Sequence, residues 1–174
     1  MNNELRTGIK DRRGNLLIES IVSISVVIIG FLGVLGLLSR SLSINKDVSQ
    51  KFVATYLAAE GIEVVKSLID KSFTDELAWN DCCESGTWEA AYDAVALAPA
   101  AVSPTPLLFD ENDGSYNYEV GSQSPFTRTI EISEVDLNDD GRTDEIKVNS
   151  KVSWLRRGEV QEINLEDRFF DWRQ

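Results

Sequence analysis

One stretch decides what this chain can fold into: Gly14–Ser39, GNLLIESIVSISVVIIGFLGVLGLLS. From Ser20 to Ser39, twenty consecutive residues carry no charge. As an α-helix rising about 1.5 Å per residue, residues 15–39 would run roughly 37 Å, enough to cross a hydrocarbon layer of about 30 Å. No other segment is suited to lipid. The exception at its start is Glu19, an acid five residues after Gly14, preceded by the basic patch Lys10-Asp11-Arg12-Arg13. A lone carboxylate at the edge of an apolar run is costly unless something positive meets it.

A basic leader, Gly14, one further residue, then Leu16-Leu17-Ile18-Glu19 and an apolar helix resemble the N-terminus of type IV prepilins and of type II secretion pseudopilins. The resemblance implies cleavage between Gly14 and Asn15 by a membrane-embedded prepilin peptidase and N-methylation of Asn15. It also implies that Glu19 meets the N-terminal amine of a neighbouring subunit during filament assembly. Asn15 stands where that family usually has Phe, and Leu17 where it often has Thr. The competing reading is an ordinary signal anchor or secretory signal peptide. Cleavage by signal peptidase asks for a short apolar core followed by small residues, and Ser39-Arg40-Ser41-Leu42 is a poor match.

Charge is distributed unevenly. Residues 1–14 hold four Lys or Arg against two acids, a net of +2, and the remainder holds 13 basic against 27 acidic residues, a net of −14. This asymmetry favours a cytoplasmic leader and an acidic domain outside the cytoplasm. It also argues against a nucleic-acid groove, which needs clustered Lys and Arg.

Within the apolar run, Gly30, Gly33 and Gly36 recur every third residue. Small residues on one face allow helices to approach closely, and glycine also eases local unwinding; both readings stand. Beyond it, Ala54, Leu57, Ala58, Gly61, Ile62, Val65, Leu68 and Ile69 form one stripe at spacings of three and four. No proline occurs before Pro99, so the pattern predicts one continuous helix from about Leu16 to about Ser72. The motif Leu57-Ala58-Ala59-Glu60-Gly61-Ile62-Glu63 is similar to the stem of minor pilins of the PilV type.

Residues 73–125 read as a variable loop region, with one strand over Ser115–Val120. From residue 126 the pattern changes to period two. Phe126, Arg128, Ile130 and Ile132 alternate with Thr127, Thr129, Glu131 and Ser133; Ile146, Val148, Ser150, Val152 and Trp154 alternate with polar neighbours. A third run, Val160 to Leu165, follows a tight turn at Arg156-Arg157-Gly158-Glu159. These runs predict an antiparallel meander with one face against the helix stripe, closed by Phe169, Phe170 and Trp172.

Two smaller constellations bear on chemistry. Cys82 and Cys83 are adjacent and are the only cysteines. Reduced, packed thiols are the simplest reading, with a vicinal or intersubunit disulfide as alternatives. Between the first two strand runs, Asp136, Asn138 and Asp140 precede Gly141 in the manner of half a calcium loop. The Arg142 carbonyl and Asp144 would complete the calcium donor set; Lys147 stands where an EF-hand has its bidentate Glu. The same residues suit a hairpin loop that binds no ion. The chain has no His, so His-dependent nucleophilic triads are excluded, and no phosphate-cradling glycine loop is present.

The fold expected is therefore α+β: a leader (1–14), a membrane or filament-core half-helix (15–39), an amphipathic half (40–72), a loop region (73–125) and a C-terminal antiparallel sheet (126–174). The resemblance implies a structural, non-enzymatic subunit that requires no cofactor. Its expected partners are the prepilin peptidase, other pilin or pseudopilin subunits, the inner-membrane assembly machinery and lipid. An anchored extracellular binding or adhesion module is the alternative.

Overall fold

A chain with no proline before residue 99 and long apolar and amphipathic periods can sustain a single helix, and it does. In the computed structural model, which describes the backbone of residues 12–171 and the side chains of 16–171, α1 runs Arg12–Thr74 over 63 residues. The leader residues 1–11 and Trp172 lie outside the described residues. The fold is α+β, with the later part of α1 packed on an antiparallel sheet.

The chain divides into two compact units, residues 1–48 and 49–174. In the first, every described side chain from Leu16 to Leu42 is exposed. Ser20 and Ser25 donate their hydroxyls to the Leu16 and Ile21 carbonyls, each at 2.7 Å. These two hydroxyls are therefore satisfied within their own helix. A Cβ added at Gly30, Gly33 or Gly36 would meet nothing within 4 Å.

The second unit carries the sheet. Its strands are β1 (Gly86–Glu89), β2 (Ala98–Pro99), β3 (Pro106–Phe109), β4 (Tyr116–Asn117), β5 (Ser122–Val135), β6 (Glu145–Arg156) and β7 (Glu159–Phe170). β5 is the hub: β6 pairs along one edge from Phe126 to Val135, while β1 and β3 share the other, opposite Ile130–Ile132 and Ser122–Thr127. β2 and β4 extend β1 and β3, and β7 pairs with β6 over its whole length.

The predicted alternation falls on the predicted face. Phe126, Arg128, Ile130 and Ile132 of β5 and Ile146, Val148, Ser150, Val152 and Trp154 of β6 are buried. The helix stripe is buried against them, joined by Val64 and Ser72, while Ile62 is half-buried. Of the two described aromatic residues expected to close the core at the C-terminus, Phe169 packs on it and Phe170 is exposed; successive strand residues face opposite sides.

The core has two lobes. Val65, Leu68, Ile69, Trp79, Ile130 and Val148 belong to one, and Ala54, Leu57, Leu107, Phe126, Val152 and Trp154 to the other. Between them in the order of all three elements stand Gly61 of α1, Arg128 of β5 and Ser150 of β6. A Cβ at Gly61 would overlap the Ser150 hydroxyl and lie 3.3 Å from both Ser150 Cβ and Arg128 Cδ. Glycine here lets helix and sheet approach. Gly61→Ala is expected to destabilise the unit by about 1–3 kcal/mol through overpacking, in spite of alanine's better helix propensity. Ser150 Oγ is buried without a hydrogen-bond partner, so Ser150→Ala alone should cost little and should restore most of the loss in the double variant. Urea unfolding of the four proteins checks this.

Candidate functional site

The residues singled out by the sequence fall in two separate places. Glu19 lies in the first unit on α1, flanked by exposed Ile18, Ile21 and Val22. Among the described residues, no cation stands within ion-pair distance of it. Gly14 and Asn15 lie in the helical backbone of α1, and their side chains are outside the described set. What the first unit offers chemically is a surface: an 18-residue window of mean hydropathy 2.8, unburied, with one acid, Glu19, ahead of the charge-free run.

The Asp136–Asp144 segment is the β5–β6 connection, in the second unit. Asp136 accepts from the Gly141 N–H at 2.8 Å, the Asn138 N–H at 3.2 Å and the Asp140 N–H at 3.3 Å. Asn138 Oδ1 accepts from the Asp140 N–H, Asp140 from the Arg142 N–H, and Asp144 from the Leu137 N–H. Asp139 (φ 59°) and Gly141 (φ 82°) provide the left-handed bends. The side chains expected to meet a cation thus serve the loop's own backbone. Among the described residues, no group of three or more His, Cys, Asp or Glu is placed to hold a metal ion.

The amides around Asp136, that of Gly141 foremost, hold its carboxyl below the usual value of 3.8. A depressed carboxylate contributes stability that is present above its unfolded pKa and lost as pH falls through the folded one. The loop is therefore expected to stay closed at neutral pH and to open below about pH 3.8. Relative to the intrinsic exchange rate at each pH, the Gly141 amide should lose protection in that range, and Asp136→Asn should remove the step.

Sequence reasoning missed a third constellation. Arg128 is fully buried, with Nη1 donating to the Leu57 carbonyl at 2.9 Å and to Glu60 Oε1 at 2.7 Å. Nη2 donates to the Ala90 carbonyl. One guanidinium thus ties α1, β5 and the segment after β1. The signal was available: an arginine at an inward strand position needs an acid, and Glu60 borders the stripe.

Cys82 and Cys83 are disulfide-bonded to each other, so the reduced reading is corrected. Cys83 is fully buried in the core and Cys82 half-buried beside it. A cavity of about 630 Å³ lies between residues 89–98 and 110–120, lined by Glu89, Asp93, Asp110, Asp113, Tyr92 and Tyr118 among others. The Ser115 hydroxyl and N–H hold the Asp113 carboxyl below its usual value. No protein-family model, curated protein or solved structure matches the chain.

Proposed function

We propose that this chain is a structural subunit of a type IV pilus or of a type II secretion-like filament, a minor pilin or pseudopilin. The observation that carries the reading is the stretch 16–42 of the first unit: a helix exposed on all sides, free of charge from Ser20 to Ser39, with a single acid five residues past Gly14. Such a surface is stable only in lipid or against neighbouring helices. A carboxylate at its edge calls for a cation brought by a neighbour.

In this reading prepilin peptidase cuts between Gly14 and Asn15 and methylates the Asn15 amine. The helix holds the subunit in the membrane and later in the filament core, and Glu19 meets a neighbour's amine. The charge asymmetry favours the leader in the cytoplasm and the 49–174 unit outside it.

Co-expression with a prepilin peptidase, followed by intact-mass and N-terminal analysis, tests the proposal, with Gly14→Arg as control. The expected product begins at N-methylated Asn15 and is lost in the control. An uncut chain, or a cut beyond Ser39, overturns it in favour of an anchored binding module.

A further inference from the structure

β7 has β6 on one side and, among the described residues, no strand on the other. Its free edge is defined by the hairpin before it. Arg157 (φ 51°) and Gly158 (φ 86°) form a two-residue turn, which makes Arg156 and Glu159 a hydrogen-bonded pair. Alternation then gives the odd-numbered residues of β7 to β6. The N–H and C=O groups of Val160, Glu162, Asn164, Glu166, Arg168 and Phe170 point to the open edge, and all six side chains are exposed.

Charges on an edge strand resist indiscriminate pairing, and here only one self-pairing engages all six outward-facing residues without opposing like charges. Antiparallel addition of an identical strand must set even residues against even residues. With Val160 opposite Phe170, Glu162 falls opposite Arg168 and Asn164 opposite Glu166, each twice by symmetry. Sliding the partner by two residues sets Glu162 against Glu166 in one direction and Glu166 against itself in the other. A one-residue slip exchanges the two faces. The same register employs the two large apolar side chains at the ends of this polar edge, Val160 and Phe170, which are 70% and 52% exposed.

We infer that β7 is a self-association edge. A second copy of this chain adds antiparallel there, Val160 opposite Phe170 and Glu162 opposite Arg168, joining two sheets across a twofold axis at Leu165. The interface is isologous. Arg168 is prepared for it: its guanidinium is held at 2.9 Å by both Glu145 and Glu166, and its remaining donors accommodate the partner's Glu162. The inference does not depend on the filament reading.

Cysteine cross-linking of the full-length chain in detergent micelles tests the register. The double variant Val160→Cys/Phe170→Cys, oxidised with copper–phenanthroline, is expected to give at least about tenfold more covalent dimer than Glu162→Cys/Phe170→Cys, whose pair belongs to a slipped register. A mixture of the single variants Asn164→Cys and Glu166→Cys provides a second pair in the proposed register. Adding Glu162→Arg to the first variant opposes arginines and should cut its yield at least about fivefold. Equal yields from the 160/170 and 162/170 pairs overturn the inference. So does the absence of dimer from both in-register pairs when their melting temperatures match the parent protein.

Discussion

Arg128→Met is expected to lower the stability of the 49–174 unit by about 3 kcal/mol, from the loss of charge-assisted hydrogen bonds whose buried acceptors are left behind. For a unit of this size that corresponds to a fall in melting temperature of roughly 6–12 °C. The acceptors are the Leu57 and Ala90 carbonyls and Glu60. Methionine fills part of the volume but offers them nothing. Nε of Arg128 has no partner in the folded state, so the guanidinium is only partly compensated to begin with, and this limits the net loss. Glu60→Gln separates charge from geometry. Its side chain is 32% exposed, so water screens part of its attraction, and the expected loss is less than half that of Arg128→Met. The double variant should lose less than the sum, because both changes remove the same contact. Thermal and urea unfolding followed through tryptophan signals measure all three. Additive losses would show that Arg128 acts through the carbonyls alone.

The parts of this fold that were legible in sequence are those where one periodicity dominates. Alternation at Phe126–Ile132 and Ile146–Trp154 identified the buried face because a strand's side-chain period is two. The three- and four-residue spacing from Ala54 to Ile69 identified the helix stripe in the same way. β7 was foreseen only to Leu165, since Glu166-Asp167-Arg168 interrupts the alternation; backbone pairing with β6 carries it to Phe170 regardless. The strand expected over Ser115–Val120 shortens to Tyr116–Asn117. There, Asn117 Oδ1 accepts the Glu119 and Val120 N–H groups at 2.9 and 2.8 Å, turning the backbone away from the ladder. β1 and β3 were not legible at all. Four residues have too little pattern of their own, and they take order from the edge of β5. In the Asp136–Asp144 loop, the residues that would serve a cation and those that close a turn are the same types, so sequence left both uses open. In the structure these side chains accept hydrogen bonds from the loop's own amides.

Glu19→Ala should separate two roles that the proposed function gives to one helix. In lipid the acid is a cost, at most about 2.5–3.5 kcal/mol for a charge at the centre of a membrane helix and less toward its end. Removing it should leave membrane insertion unchanged or improved. In a filament the same carboxylate meets a neighbour's amine in a medium of low dielectric, where the pair is much stronger than in water. Incorporation is therefore expected to fall at least about tenfold, equivalent to roughly 1.4 kcal/mol or more per contact. The opposite signs make the result specific. A variant that merely misfolds would lose both membrane and filament fractions, whereas loss of the amine contact depletes only the sheared-filament fraction. Glu19→Asp should keep part of the incorporation, since it keeps the charge on a shorter reach. Glu19→Gln keeps the shape without the charge and should behave like alanine. Wild-type incorporation of Glu19→Gln would mean that the acid does not pair on assembly, and the helix would then be an anchor alone.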